Sequence, residues 1–462
     1  KFQSGVQHYL STFQYKNAVT QDLWKALADV SKVNVAELMG EWTAFMGFPV
    51  VSVSSTQEGP DRLLKLSQKR FLADGTEDTS APVWQVPINI ITSDNPKEVK
   101  TKYLLKEKSA QLTLPGISEK EWVKLNAGQT GYFRVEYSKE MLDQILVAVK
   151  DKTLDSVERF NLITDLWALV RAGRVSASLF LDVVEAVGPS EDQYTVWDEL
   201  DAGIGVLSNC LSRHPETKAK YDSFVQKAYG PIAEKLGWDA APGEGHRTAL
   251  LRSLILGRLG KSSHAPTQQV ALEKFNGHIK DGLDLAPDLR GVIFAVAALK
   301  GGEETYEKLQ KLFESSDFSE IQRQCLASMG LNKDVNIQKK ALEYALSNKV
   351  RKQDMYMTHL AVAGTYPGQE TLWAFVKQNI SKLVDIYGKA NNNIFQAIVK
   401  IASRNHCSEQ KAKEIERFFG ESEHASALDR PVKQSVENVR LNAGLLARDQ
   451  QKVHDWLVAK GF

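Results

Sequence analysis

The sequence is short of anything that would staple or anchor it. Its 462 residues hold only 3 cysteines, Cys210, Cys325 and Cys407. They are far apart, odd in number and free of CxxC spacing. That argues against a disulfide framework or a zinc knuckle and predicts reduced thiols in a cytoplasmic protein. No apolar run is long enough to cross a bilayer, so no membrane partner is expected. A surplus of charge is missing too, with 58 Lys and Arg against 57 Asp and Glu. A nucleic-acid module must neutralise phosphates and usually carries a basic excess, so no nucleic-acid partner is expected. Neither an initiator Met nor a signal peptide is present. The chain opens in helical register with KFQSGVQHYL and reads as a piece of something longer.

The common catalytic signatures are missing as well. The histidines are His8, His214, His246, His264, His278, His359, His406, His424 and His454. None lies in H-E-x-x-H or in any HxxxH, so no helix presents a zinc-binding pair. Neither G-x-S-x-G nor GxxxxGK(S/T) occurs. The glycines of APGEGHRTALLRS precede a helix, and such a start can hold an anion. No strand runs into it, however, as a dinucleotide or P-loop site requires. The segment reads as an entry loop with Glu244 or Gly245 near the cap. His406 and Cys407 are adjacent, but sequence neighbours rarely face each other as base and nucleophile. The start of a helix accounts for them better. One glycosylation sequon, Asn379-Ile380-Ser381, falls inside a helical pattern rather than a loop.

What is present changes character along the chain. Residues 1–47 read as helices. TQDLWKALADVS starts at Thr20, a good N-cap, and sets Leu23, Leu27 and Val30 on one face. NVAELMGEWTAFMG starts at Asn34 with Glu37 three residues on, the spacing of a capping box. Its stripe is Val35, Leu38, Trp42 and Phe45, and Gly47 and Pro49 stop it. Residues 48–137 read as strands: PVVSVSS, RLLKLSQKRFL, WQVPINIIT, KYLLKE, AQLTL, WVKLNAG and GYFRVEY, separated by turn-rich segments such as ADGTEDTSAP. Short strands so closely spaced predict a small antiparallel β-sandwich. TGYFRVEY has the look of an RNA-binding signature. An RNA-recognition fold needs a βαββαβ order, and no helical pattern interrupts these strands, so the run reads as the last strand of the sandwich.

After Tyr137 amphipathic runs alternate with short turns to the end, roughly sixteen to eighteen helices. SVERFNLITDLWALVRAG is typical, with Val157, Phe160, Leu162, Leu166, Leu169 and Val170 apolar, and Gly173 ending it. No strict repeat emerges, but the spacing approaches that of paired-helix arrays, and a HEAT/armadillo-like superhelix is expected over residues 138–462. Such arrays leave a concave face; a closed, irregular helical bundle is the other arrangement the pattern allows. Trp42, Trp122, Trp167, Trp197, Trp238 and Trp373 are expected in cores or domain joints.

Several blocks carry a resemblance. DLWKALADVS with WTAFMGFPVVSV, VKLNAGQTGYFRVEY, DQYTVWDEL with GWDAAPGEGHRTALLRSLILGRLG, and PDLRGVIFAVAALKGGEE with ENVRLNAGLLARD occur in family order. Together they make the chain similar, over essentially its whole length, to the C-terminal part of the puromycin-sensitive type of zinc aminopeptidase, in the gluzincin aminopeptidase family. The resemblance implies an α+β multidomain chain: a helical tail of the catalytic domain at 1–47, a β-sandwich at 48–137 and an all-α domain at 138–462. It implies a parent that removes N-terminal residues from peptides with one Zn²⁺. The family's G-A-M-E-N and H-E-x-x-H motifs are not in this sequence and would lie upstream of Lys1. No catalytic residue, metal ligand or cofactor is therefore assigned to this chain, which is expected to be inactive alone. Its implied partners are the upstream catalytic domain and, in the parent, peptide substrates. The implied role is to cap the active site and enclose the peptide. Arg252, Arg290 and Arg323 are candidates to face that cavity, where a guanidinium can meet a carboxylate; pairing with acidic neighbours is the simpler fate of each. Asn126, Gly128, Gly131, Arg134 and Tyr137 are implied as structural or interdomain residues, with the glycines shaping the turn. An independent α-solenoid scaffold that binds proteins on its concave face remains the other reading.

Overall fold

The computed structural model describes residues 1–387, 392–422 and 425–462, so His424 lies outside the described residues. The chain divides into two compact units, Lys1–Leu169 and Val170–Phe462.

The first unit begins with α1 (Phe2–Phe13), α2 (Thr20–Ser31) and α3 (Val35–Ala44). Thr20 is the first helical residue rather than the cap: Val19 is the N-cap, and its N–H donates to Asp22 Oδ2 at 2.9 Å. Asn34 caps α3 as its spacing predicts, accepting from Glu37 N at 3.2 Å. The return contact runs between side chains, from Asn34 Nδ2 to Glu37 Oε2. Trp42 of α3 meets the sandwich, tilted on Trp84 at 6.3 Å between ring centroids.

Seven strands follow: β1 (Pro49–Glu58), β2 (Asp61–Arg70), β3 (Val86–Thr92), β4 (Thr101–Leu105), β5 (Ser109–Leu114), β6 (Val123–Leu125) and β7 (Arg134–Tyr137). One sheet has the order β5-β2-β1-β7 and the other β4-β3-β6. Alternation turns Val51, Val53, Leu64 and Leu66 inward from the first sheet and Val86, Ile88 and Ile90 from the second, and they share one core with Trp84, Phe133 and Val135. Burying each such side chain contributes about 1.5–3 kcal/mol. The β1–β2 hairpin turns on Gly59, at φ 59°, and Pro60; only a residue without Cβ takes that φ freely. Four of the five strand pairings are antiparallel, but β7 runs parallel to β1, with Val51 opposite Val135. The chain reaches β7 from β6 in the other sheet, so it crosses the core instead of turning back as a hairpin. Helices α4 (Lys139–Lys150) and α5 (Ser156–Arg171) come next.

The second unit is helical: α6 (Ala177–Val187), α7 (Tyr194–Leu211), α8 (Pro215–Leu236), α9 (His246–Lys261), α10 (Ala265–Asp281), α11 (Pro287–Lys300), α12 (Glu303–Ser315), α13 (Ser319–Met329), α14 (Val335–Ala345), α15 (Met355–Ala363), α16 (Tyr366–Tyr387), α17 (Asn393–Ser403), α18 (Glu409–Gly420) and α19 (Ala425–Ala459). Gly245 caps α9, and Asn379 sits within α16. From α7 to α19 each odd-numbered helix packs on the next odd-numbered one, while α8, α10, α12, α16 and α18 each pack on the odd-numbered helix that follows. The last helix returns to the first: α19 also packs on α6, α7 and α8. Close approach is built in at Gly260, where a Cβ would lie 2.3 Å from Val296 Cγ2 of α11. The long α19 carries a cap for another helix: Asp449 Oδ1 accepts from Ser176 Oγ and Ala177 N at the start of α6, both at 3.3 Å.

Candidate functional site

The turn between β6 and β7 is held by its own sequence. Asn126 sits in the left-handed region at φ 56° and Gly128 at φ 68°. Asn126 Nδ2 donates to Gly131 O at 3.2 Å, and Gly131 N donates back to Asn126 Oδ1 at 2.8 Å. Gly131 does not have positive φ; its missing Cβ instead clears the Phe133 ring, which would otherwise lie 2.2 Å away. The Tyr137 hydroxyl accepts from Leu125 N at 2.9 Å and joins β7 to β6.

Beneath this turn runs a chain of buried polar groups. Lys124 is fully buried and donates to Glu158 Oε2 at 2.5 Å, Asn161 Oδ1 at 2.8 Å and Leu125 O at 3.2 Å, which fills its three N–H positions. Glu158 Oε1 accepts from Gly128 N. Asp165 accepts from Val135 N at 3.0 Å, from Asn161 Nδ2 at 3.4 Å and from Arg134 Nη1 at 3.2 Å. Of the five residues expected to be structural or interdomain, Arg134 meets Asp165 here, Gly128 meets Glu158, and Asn126, Gly131 and Tyr137 line the turn. Lys124, Glu158, Asn161 and Asp165 went unread in the sequence. Positions 158, 161 and 165 share one helix face, and a polar stripe at that spacing reads as a solvent face. The one available signal was a lysine between two apolar residues in Val123-Lys124-Leu125.

Burial pushes the Asp165 carboxyl up to about 6, against the pull of Arg134 and of the Val135 N–H. A carboxyl raised on folding contributes stability that is complete below its unfolded value of 3.8 and lost as pH rises through about 6. Relative to Asp165→Asn, the native protein should therefore lose about 3 kcal/mol between those values. Urea midpoints of both proteins across that window measure it; parallel curves would show that Asp165 titrates normally.

The three arginines expected to face a cavity lie on α9, α11 and α13. Arg252 is buried and engaged within the fold. Its Nη1 and Nη2 clamp Glu244 Oε1 and Oε2 at 2.5 Å, and its Nε donates to Leu236 O and Gly237 O at 3.2 Å. This pair ties the end of α8 to α9. Arg290 on α11 is half-buried, with its Nε out of solvent and without a hydrogen-bond partner among the described residues. Arg323 on α13 is half-buried, and the Cγ of its neighbour Gln324 lies 3.6 Å from where a Cβ on Gly291 of α11 would sit. The Oε1 of Gln324 likewise lacks a partner among the described residues.

Among the described residues, no three His, Cys, Asp or Glu side chains are placed together to hold a metal ion. His359 bonds Met355 O, His454 faces Thr217 Oγ1, and His406 lies between Ala402 O and Glu370 Oε1. Cys407 turns instead to Cys210, so His406 and Cys407 do not act on one another. Ser408 caps α18 just after them. No helix among the described residues is long and apolar enough to cross a membrane.

Two family models match the chain: the ERAP1-like C-terminal domain over residues 122–441 and the peptidase family M1 domain over residues 1–42. The chain is 40% identical over 463 residues to the puromycin-sensitive aminopeptidase of Caenorhabditis elegans, across 99% of this chain and 49% of that protein. It is 30% identical over 453 residues to aminopeptidase M1-A of Oryza sativa subsp. japonica, across 96% and 50%. It is 27% identical over 465 residues to the mitochondrial aminopeptidase 2 of Saccharomyces cerevisiae, across 100% and 47%. The chain thus spans about half the length of the curated relatives it matches.

Proposed function

The chain belongs to the family of ERAP1-like C-terminal domains, and on that premise we propose that it is the non-catalytic C-terminal portion of a zinc-dependent aminopeptidase that removes N-terminal residues from peptides. In this reading residues 1–47 complete the catalytic domain, residues 48–137 form a spacer, and the HEAT/armadillo-like array of residues 138–462 caps the active site and encloses the peptide. The zinc and the exopeptidase motif belong to the upstream domain, and the assembly works in the cytosol. Membership along the chain supports this, but one observation carries it. The segment matched by the peptidase model leaves large apolar side chains in solvent: Phe2 is 74% exposed and Leu10 60%, with Val19 at 63% and Val33 at 53%. Just beyond α3, Met46 is 80% exposed. Gly5 is the only buried residue of α1. Exposed apolar side chains gathered in one segment of the chain fit a surface that another body covers, and the upstream domain is the occupant proposed. Among the cavity candidates, Arg252 has its donors engaged, so contact with the peptide carboxylate rests on Arg290 and Arg323.

The test is complementation. The upstream half is expressed alone, this chain is titrated in, and cleavage of an alanyl fluorogenic substrate and of a long peptide is followed. The chain alone should be silent, and adding it should raise long-peptide cleavage roughly tenfold. Leu10→Asp or Met46→Asp should weaken that rescue. Two folded halves with no effect on one another would favour the independent scaffold, and cleavage by this chain alone would overturn the assignment.

A further inference from the structure

Two thiols separated by 197 residues in sequence meet inside the second unit. Cys210, on α7, and Cys407, in the segment entering α18, are both free, and their Sγ atoms lie 3.7 Å apart. Cys210 is 1% exposed and Cys407 7%. The seam around them is already ordered by polar contacts. Asn209 Nδ2 donates to Asn405 O at 2.9 Å, and Asn209 Oδ1 accepts from Gln369 Nε2 at 2.5 Å. Arg213 Nη2 donates to Gln369 Oε1 at 2.7 Å. Asn442 of α19 donates to Arg404 O and His406 O, and its carbonyl faces Cys210 Sγ at 3.9 Å. Ordering of this kind fixes which sulfurs face each other.

We propose that Cys210 and Cys407 form a reversible disulfide, a redox-sensitive clasp between the first helix of the odd-numbered row and the segment that precedes its last helices. A disulfide needs the sulfurs to close from 3.7 Å to about 2.05 Å. Cys407 is the attacking sulfur. Its hydrogen bond with Cys210 and the nearby Arg213 and Arg171 charges hold its thiol below the ordinary value, and Asn209 Nδ2 faces it at 3.8 Å. With hydrogen peroxide as oxidant, the Cys407 thiolate attacks one oxygen. An S–O bond forms, the O–O bond breaks, and the departing hydroxide takes a proton to become water. The Cys210 sulfur then attacks the sulfenic sulfur, and its proton leaves with the hydroxyl as a second water. Two thiols are oxidised and one peroxide is reduced to two waters. A dithiol reverses the step by exchange. Cys325, alone on α13 and pushed up to about 12 by burial, stays out of the reaction. The inference does not depend on the aminopeptidase reading.

The folded chain is exposed to a modest excess of hydrogen peroxide, alkylated with N-ethylmaleimide, digested without reduction and mapped by mass spectrometry. A single cross-linked pair joining Cys210 to Cys407 is expected, with Cys325 alkylated and the link removed by dithiothreitol. Because the link closes a very long loop, the oxidised chain should melt about 5 °C higher or more. C210S and C407S should each abolish link and shift, while C325S keeps both. If a serine variant does not fold, the map of the native chain decides by itself. Cys407 recovered as sulfinic acid beside an alkylated Cys210, thiols that react only after denaturation, or a link through Cys325 would overturn the proposal. A correct link with an unchanged melting point would overturn the clasp.

Discussion

Lys124→Ala should destabilise the Lys1–Leu169 unit by about 3–5 kcal/mol, more than removing an average core side chain. The lysine is fully buried, and its ammonium is matched by the Glu158 carboxylate at 2.5 Å. Truncating it leaves that carboxylate buried with, among the described residues, only the Gly128 N–H to stabilise it, and strips a donor from Asn161 and from Leu125 O. A buried charge without its partner is the costly state; a neutral pair of similar shape is not. Lys124→Met with Glu158→Gln should therefore recover most of the loss, since the amide oxygen then carried at position 158 still accepts from Gly128 N. Urea unfolding gives the free energies, and hydrogen exchange at β6 and β7 locates the effect. A single substitution costing under about 1 kcal/mol, or a double no better than the single, would show that the ion pair does not hold the turn.

The contrast between what periodicity revealed and what it hid follows from this network. The strands were legible because Val51, Val53, Leu64 and Leu66 alternate with polar residues, and one inward face is enough to fix a strand. TGYFRVEY ends in a strand, β7, as its pattern predicts. The helices beyond Tyr137 were legible from their stripes, and sixteen are found there among the described residues, α4 to α19. Asn34 was legible as a cap and the cap of α9 was narrowed to Glu244 or Gly245 because capping is local, although at α2 the cap is Val19 and not Thr20. Partnership across the chain was not. Nothing in GYFRVEY says that it pairs parallel with β1, because that depends on a crossing between sheets. Glu158, Asn161 and Asp165 look like a wet face until Lys124 and Arg134 arrive from another element. Arg252 reads as a surface or cavity charge until Glu244, in the loop before its own helix, closes on both its Nη atoms. The α+β class could be read from local pattern; which polar residues are buried together could not.

The second large effect lies at the head of the helical row. Asp201→Ala should cost about 3–5 kcal/mol, because it strands the guanidinium of Arg258 between α7 and α9. The fork is bidentate: Arg258 Nε donates to Asp201 Oδ1 at 2.6 Å and Nη2 to Oδ2 at 2.8 Å, while Tyr229 of α8 donates to Oδ1 at 3.0 Å. The site is shaped for a planar group, since a Cβ on Gly205 would lie 2.9 Å from Nη2. Arg258→Lys keeps the charge but loses the fork and should fall between native and Asp201→Ala. In an open array the loosening would spread only from α9 toward α11 and decay with each interface. Here α19 also packs on α7, so the defect has two routes. Hydrogen exchange on Asp201→Ala should show α9 and α19 losing protection together, ahead of α13 and α15. Loss confined to α7 through α11, with α19 as protected as in the native chain, would mean that the return of the last helix to the first carries little of the unit's stability.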